Sequence, residues 1–279
     1  MVVIAVSDVH LDIEESEKDR FNEFLEYLLE SGEDYELEVG KRDAFVLNGD
    51  ILDLWRRDCV GCPSRNSETI EKIKALNEKM EVHYVLGNHD QHYGVGIEPQ
   101  KGGIRHEKEV ILEIDGTKIQ FIHGHQFDPL QNEVFSEILT HSSDYSGKYA
   151  DEAWKIIREG EGFFERCIDK FKDLFTKERS WRKEVSQGMD KATTVIEPGE
   201  AGLIDRKAKE TLYKTDKRVI GHTHDEFVSE DNKIANTGAW VKKEGVYNTL
   251  VRVDQDAVLR LLRYNGWDDF EEIPKVYSF

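Results

Sequence analysis

Five short polar clusters constrain what this chain can fold into. They are Asp8/His10, Asp50/Asp53, Asn88/His89, His123/His125 and His222/His224, and each directly follows a short apolar run. Each run reads as a strand, and open α/β sheets place their ligands and chemistry where strands end. One cluster alone, such as Gly87-Asn88-His89-Asp90, reads as an ordinary polar turn, because Gly, Asn and Asp are common turn residues. Five at strand ends are hard to explain by solubility or packing. If the strand ends converge in one sheet, the clusters make one polar pocket.

The intervening sequence fits such a sheet. Residues 1–7 read as a first strand. Phe21, Phe24, Leu25, Leu28 and Leu29 follow at helical spacing, one apolar stripe among acids. Ala44 to Leu47 is a second strand, residues 67–80 a helix with Ser67 as candidate N-cap, and Val82 to Leu86 a third strand. This βαβαβ order implies parallel strands. Val110 to Ile114 and Lys118 to Ile122 then flank Asp115-Gly116, a hairpin signal that suggests an antiparallel second half. Helix-like sequence fills about 127–215, after which Arg218 to Ile220, Val246 to Val253 and Val258 to Leu262 read as closing strands. The chain is expected to be one domain with a helical insertion.

Composition sets the outer limits. The 279 residues are 38% hydrophobic and 34% charged, enough to bury a core in a soluble globular chain. No apolar run approaches the roughly 18–20 residues of a membrane span. Val2 to Val6 is too short for a signal peptide and lacks a basic leader. Three cysteines make no disulfide framework, which fits a reducing cytoplasm. Cys59-x-x-Cys62 lacks the two further nearby ligands of a structural zinc and reads as two ordinary thiols. The net charge of −19 repels phosphate backbones and disfavours nucleic acid. It still allows a phosphate substrate, because bound cations invert the local field.

The clusters suit metal ions. In an extended segment residues i and i+2 point the same way, so Asp8 with His10, His123 with His125, and His222 with His224 can each aim two side chains together. Imidazole with carboxylate suits Zn²⁺, Mn²⁺ and Fe²⁺. There are too many candidate ligands for one tetrahedral ion, whereas two ions sharing a carboxylate would use them economically.

Asp8-x-His10, Gly49-Asp50-x-x-Asp53, Gly87-Asn88-His89-Asp90, His123-Gly-His125 and Gly221-His222-x-His224 together resemble, in order, the calcineurin-like metallophosphoesterase signature. The resemblance implies an α/β fold of two stacked mixed β-sheets flanked by helices, and hydrolysis of a phosphate ester or anhydride at a dinuclear centre. It implies that Asp8, His10 and His224 hold one metal, that Asn88, His123 and His222 hold the other, and that Asp50 bridges. His89 would be the general acid. Mn²⁺ is the expected metal, with Fe and Zn as alternatives. Two cations bring the pKa of a bound water to about 7, and the hydroxide would attack phosphorus in line. His89 would protonate the leaving oxygen, since imidazole titrates near neutrality, with Asp53 orienting it. His125, Arg56 and Arg57 are candidate substrate contacts, although solvated arginines are the commoner fate. Asn236-Thr237-Gly238-Ala239-Trp240 looks like a turn that shapes the pocket floor.

Val6 to Leu11 with Asn48 to Trp55 is more specific, and resembles the branch containing UDP-2,3-diacylglucosamine hydrolases. Those enzymes cleave a pyrophosphate under a helical insertion. Here the corresponding segment carries Trp154, Phe163, Phe164, Phe171, Phe175 and Trp181, with nine Lys/Arg against six Asp/Glu between Lys155 and Lys183. That composition suits a lid over a lipid-linked or other amphiphilic phosphate, with peripheral membrane contact if the substrate is a lipid. It equally suits a packed helical pair or a dimer interface, so oligomeric state stays open. The UDP-sugar enzymes commonly carry Arg where His89 stands, which points away from that substrate. The leading expectation is a phosphohydrolase acting on a phosphate mono- or diester or a pyrophosphate. The alternatives are the UDP-sugar pyrophosphatase, a nuclease, and a non-catalytic scaffold, which would ordinarily have lost ligands.

Overall fold

The computed structural model describes residues 1–31, 36–54, 57, 61–91, 93, 104, 106–128, 203–212, 215–243, 245–274 and 276–277. Alternating apolar residues at the N-terminus form β1 (Val3–Val6). Val3 and Ala5 face one way and Ile4 and Val6 the other, and all four are fully buried. A strand apolar on both faces must lie between two layers. α1 (Lys18–Glu30) buries Phe21, Phe24, Leu25 and Leu28 of the expected stripe, together with Tyr27. Its C-terminal carbonyls are capped from another helix, because Lys79 Nζ donates to the carbonyls of Leu28, Leu29 and Ser31 at 2.8, 3.1 and 2.6 Å. β2 (Ala44–Asn48), α2 (Gly61–Arg65), α3 (Ser67–Lys79) and β3 (Glu81–Val85) follow. The α3 cap differs from expectation. Asn66 precedes the helix, makes no side-chain cap bond, and donates instead to the Cys62 carbonyl at 2.8 Å, so Ser67 is already helical.

The remaining strands are β4 (His106–Glu107), β5 (Val110–Ile114), β6 (Thr117–Phe121), β7 (Lys217–Ile220), β8 (Phe227–Ser229), β9 (Ile234–Asn236), β10 (Thr249–Val253), β11 (Leu259–Gly266), β12 (Asp269–Glu272) and β13 (Val276–Tyr277). α4 (Leu203–Glu210) precedes β7. Asp115 and Gly116 close the β5–β6 hairpin, both with positive φ (49° and 74°), as a tight primed turn requires.

One sheet has the order β12-β11-β10-β1-β2-β3-β4, the other β13-β8-β9-β7-β6-β5. In the first, β1 to β4 run parallel, as the βαβαβ reading expected, and β10 to β12 add antiparallel strands. The second half is not simply antiparallel as expected. β6, β7 and β9 are parallel neighbours, so both sheets are mixed. Val3, Ala5, Val46, Phe121, Val219 and Val251 share the apolar layer between the sheets. α1 and α3 cover the outer face of the first sheet. Ala208 of α4 joins Ile122, Ile220, Phe227 and Ile234 on the outer face of the second. Helix, sheet, sheet, helix gives four layers. The insertion expected over about 127–215 lies mostly outside the described residues; near its ends are a 3-10 turn (His125–Phe127) and α4. Among the described residues no helix is long and apolar enough to cross a membrane.

Candidate metal centre

The sheets are stitched together at the strand ends that carry the clusters. Asn48, the last residue of β2, donates from Nδ2 to the carbonyls of Ile122 and Val219, both at 3.3 Å, and so reaches the second sheet. Its own carbonyl accepts from Nδ1 of His123 at 2.8 Å. The adjoining loops zip by main-chain bonds: Asp8 N to Gly49 O at 3.0 Å, His10 N to Asp50 O at 2.9 Å, and Gly221 N to His123 O at 2.8 Å. The turn expected at the floor is tied to the His222 loop, where Asn236 donates to the Gly221 carbonyl at 3.0 Å and to Thr223 Oγ1 at 2.9 Å.

The clusters converge by a different geometry from the one the spacing suggested. Asp8, His10, Asp50, His222 and His224 have positive φ values of 55°, 48°, 56°, 71° and 57°. They are left-handed turns, not extended pairs. This conformation is uncommon for non-glycine residues and costs about 1–3 kcal/mol each. Convergence therefore comes from sharp turns, and His222 and His224, two residues apart, go to different partners.

Two buried carboxylates are held alike. Asp8 Oδ2 accepts the main-chain N–H of His222 at 2.9 Å and the Ser7 hydroxyl, which leaves Oδ1 turned inward. Asp50 Oδ1 accepts the main-chain N–H of His89 at 2.8 Å, which leaves Oδ2 turned inward. Two glycines make room: a Cβ at Gly87 would overlap the Asp50 carboxylate, and one at Gly221 would overlap Ser7 and Asp8.

Around the inward oxygens stand imidazole nitrogens. Asp8 Oδ1 lies 3.1 Å from His224 Nε2 and 3.8 Å from His10 Nε2, and those two nitrogens are 3.2 Å apart. Asp50 Oδ2 lies 3.1 Å from His123 Nε2 and 3.8 Å from His10 Nε2. Donor atoms of Asp50, His123 and His222 lie within 4.8 Å of one another, as do those of Asp8, His10 and His224. Ligand atoms 2.0–2.2 Å from one ion sit about 3.0–3.5 Å apart, so this spacing fits a cation. The tautomers agree. His123 Nδ1 donates to a carbonyl and His10 Nδ1 to Asp53 Oδ2 at 3.1 Å, so in the neutral ring each Nε2 faces inward as a lone pair. Asp8 Oδ1 and His123 Nε2 are buried without a hydrogen-bond partner. Asn88 is fully buried between Gly87 and His89, both of which abut the Asp50 carboxylate.

Protonation preferences show the same pull on cations. Burial alone would lower His10 and His123, but Asp53 and Asp8 raise His10 to about 10, and Asp50 and Asp8 raise His123 to about 9. Burial would raise Asp8 and Asp50, yet His224 and His123 hold Asp8, and His123 and His89 hold Asp50, well below the carboxylate range. Burial lowers His224, with Asp8 opposing.

His89 stands over this group, its ring T-shaped against His10 at 4.6 Å. Its Nδ1 is 3.2 Å from Asp53 Oδ1, and its Nε2 is 4.0 Å from Asp50 Oδ2. Asp53 thus contacts His10 through one oxygen and His89 through the other. Proximity alone would also group His89 with His10 and Asp50 as donors. Burial lowers His89, with Asp53 opposing. Asp90 fixes the loop by accepting from Gly87 N, Ile51 N and Tyr84 Oη at 2.7, 2.8 and 2.8 Å.

His125 lies beside His123 and His222, with ring centroids 5.5 and 6.3 Å away. Burial, with those two rings, lowers it to about 3, so it is neutral. Arg57 Nε donates to the Asp12 carbonyl at 3.0 Å, two residues from His10; Arg56 lies outside the described residues. Cys62 is a buried free thiol pushed up to about 12 by burial, and Cys59 lies outside the described residues. Two site roles escaped the sequence reading. Asn48 entered it only as the first residue of the Asn48 to Trp55 stretch, with no role as a tie between the sheets. Asp128, whose Oδ2 lies 3.1 Å from His222 Nε2, stands five positions after His123 with no motif to mark it.

The calcineurin-like phosphoesterase family model matches residues 1–226. Among solved structures the chain is similar to wild-type Vps29 complexed with Zn²⁺ from Entamoeba histolytica (14% identity, 98% of each chain, TM-score 0.42). It is also similar to a structure described as a novel archaeal phosphodiesterase (12%, 98% of this chain and 99% of that one, 0.40) and to a cold-active protein-tyrosine phosphatase of a Shewanella species (16%, 97% and 80%, 0.40). These likenesses are weak. No curated protein matches the chain.

Proposed function

The chain belongs to the calcineurin-like phosphoesterase family of metal-dependent phosphoesterases, and on that premise we propose that it hydrolyses a phosphate mono- or diester at a centre of two divalent cations. The observation that carries the reading is Asp50 Oδ2, one inward oxygen facing both His123 Nε2 at 3.1 Å and His10 Nε2 at 3.8 Å. In this reading Asp8, His10 and His224 would hold one ion, Asn88, His123 and His222 would hold the other, and Asp50 would serve both. Mn²⁺ is the proposed metal. When bound, the ions supply a nucleophilic water at neutral pH and offset charge developing on the phosphoryl oxygens.

The chain's own residues supply the rest. His89 presents Nε2 toward Asp50 Oδ2, 4.0 Å away, because its Nδ1 faces Asp53. From Nε2 it donates a proton to the leaving oxygen, a role worth typically 10²–10⁴-fold. Asp53 holds that ring and the His10 ring in fixed orientation. His125, neutral and beside the second ion's ligands, offers a ring nitrogen to a phosphoryl oxygen, and Arg56 and Arg57 are proposed to meet the substrate's outer charge. An imidazole acid favours an ester with a poor leaving group over a pyrophosphate, whose leaving phosphate needs no proton. The substrate is proposed to be a phosphorylated small molecule or lipid, met by one domain interrupted over about 127–215.

A Mn²⁺-supplemented screen of mono-, di- and pyrophosphate substrates, run on wild type and His89→Asn, tests this. The expected result is ester hydrolysis that requires metal and falls sharply in the variant on poor leaving groups. Absence of metal-stimulated hydrolysis of any class, a generic aryl phosphate included, would overturn it.

A further inference from the structure

We infer that Asp128 is a positioning residue for His222: it holds the Nε2 proton, and so turns Nδ1 toward the metal position. Asp128 lies outside all five motifs, just after the 3-10 turn, where its main-chain N–H donates to the His125 carbonyl at 3.0 Å. Its Oδ2 stands 3.1 Å from His222 Nε2, and the two side chains are only 11% and 6% exposed.

The pattern in the neighbouring rings gives this contact its meaning. A neutral imidazole has one N–H and one lone pair, and the nitrogen that donates decides which one remains for a metal. His10 and His123 each place Nδ1 against an acceptor, Asp53 and the Asn48 carbonyl, and present Nε2 inward. In His222 the acceptor sits on Nε2, so the ring is used the other way round. His222 is left-handed, at φ 71°, and its main-chain N–H is tied to Asp8 Oδ2. Backbone conformation does not set the reversal, because His10 is left-handed too, at φ 48°. The motif that fixes His222 in sequence therefore leaves its tautomer to a carboxylate from another loop. Outer carboxylates of this kind typically change metal affinity 10–100-fold.

The metal consequence rests on the two-ion reading above, but the tautomer does not. In ¹⁵N-labelled, metal-free protein at pH 8, long-range ¹H–¹⁵N imidazole spectra, assigned with His222→Gln, should show His222 protonated at Nε2. Asp128→Leu should shift it toward Nδ1–H, and Asp128→Asn, which keeps an acceptor oxygen, should restore Nε2–H. In Mn²⁺ titrations Asp128→Leu should weaken one of two ions 10–100-fold and leave the other unchanged. Nδ1–H in wild type would overturn the inference. So would wild-type Mn²⁺ binding by Asp128→Leu, or equal weakening of both ions with a lower unfolding temperature of the metal-free variant. Wild type that binds no Mn²⁺ but shows the expected tautomer shift would sink the two-ion reading and leave the Asp128 assignment standing.

Discussion

The main-chain N–H of His89 donates to Oδ1 of Asp50 at 2.8 Å. The residue proposed to deliver a proton thus also anchors, through its backbone, the carboxylate proposed to span the ions. The two duties separate under mutation, because any non-proline residue keeps the N–H. His89→Ala should therefore keep its metal content while kcat on an alkyl phosphate falls about 10²–10⁴-fold. The fall on p-nitrophenyl phosphate should be much smaller, since that leaving group needs little protonation. Equal losses on both substrates, or loss of metal by elemental analysis, would remove His89 as the acid.

Asp53 touches two rings, so its removal should show two defects. Asp53→Asn should weaken one Mn²⁺ about 10–100-fold through His10 and also lower kcat at saturating metal through His89. Calorimetric titration reads the first and steady-state kinetics the second. A variant that recovers full kcat at high Mn²⁺ would show that only the His10 contact matters.

Gly87→Ala tests the close approach behind Asp50. The added Cβ would overlap the Asp50 carboxylate, so something must shift. The expected outcome is a destabilisation of about 1–3 kcal/mol in chemical denaturation, together with weakened metal binding. Gly116→Ala is the control: its Cβ meets open space, although φ is positive, so it should lose stability without losing metal.

Metal binding should release protons and strengthen as pH rises. His10 and His123 are raised to about 10 and 9, so in metal-free protein both carry a proton at pH 7 that a cation must displace. The same shifts fix the sign of metal-free stability. A group raised on folding contributes fully below the unfolded value near 6.5 and loses that contribution as pH climbs to 9 or 10. Metal-free protein should accordingly lose stability between about pH 6.5 and 10. Calorimetry in buffers of different ionisation enthalpy counts the released protons, and a count near zero at pH 7 would contradict the assignment.

The sequence revealed the chemistry more readily than its geometry. Periodicity identified α1 because Phe21, Phe24, Leu25 and Leu28 must share one buried face, and Asp115-Gly116 identified its hairpin because few residue pairs tolerate two positive φ values. The pairing of β6 with β7 was not legible. Ninety-odd residues separate them, and local pattern carries no record of which distant strand a short apolar run will meet. β8 and β9 are three residues each, too short for a period to register. The clusters were visible as residue types, but spacing suggested extended pairs where the chain makes left-handed turns. Asp128 was invisible because its partner lies 94 positions away.

Those left-handed turns link folding to ion supply. Asp8, His10, Asp50, His222 and His224 all hold a conformation that opposes folding. A ligand that binds only the folded state adds RT ln(1 + [L]/Kd) to stability, about 2.7 kcal/mol at a hundredfold excess over Kd. Five turns at about 1–3 kcal/mol each exceed what one ion returns at that concentration. The protein's lifetime should therefore track free divalent metal: under starvation it becomes a substrate for proteases before it becomes merely an idle enzyme.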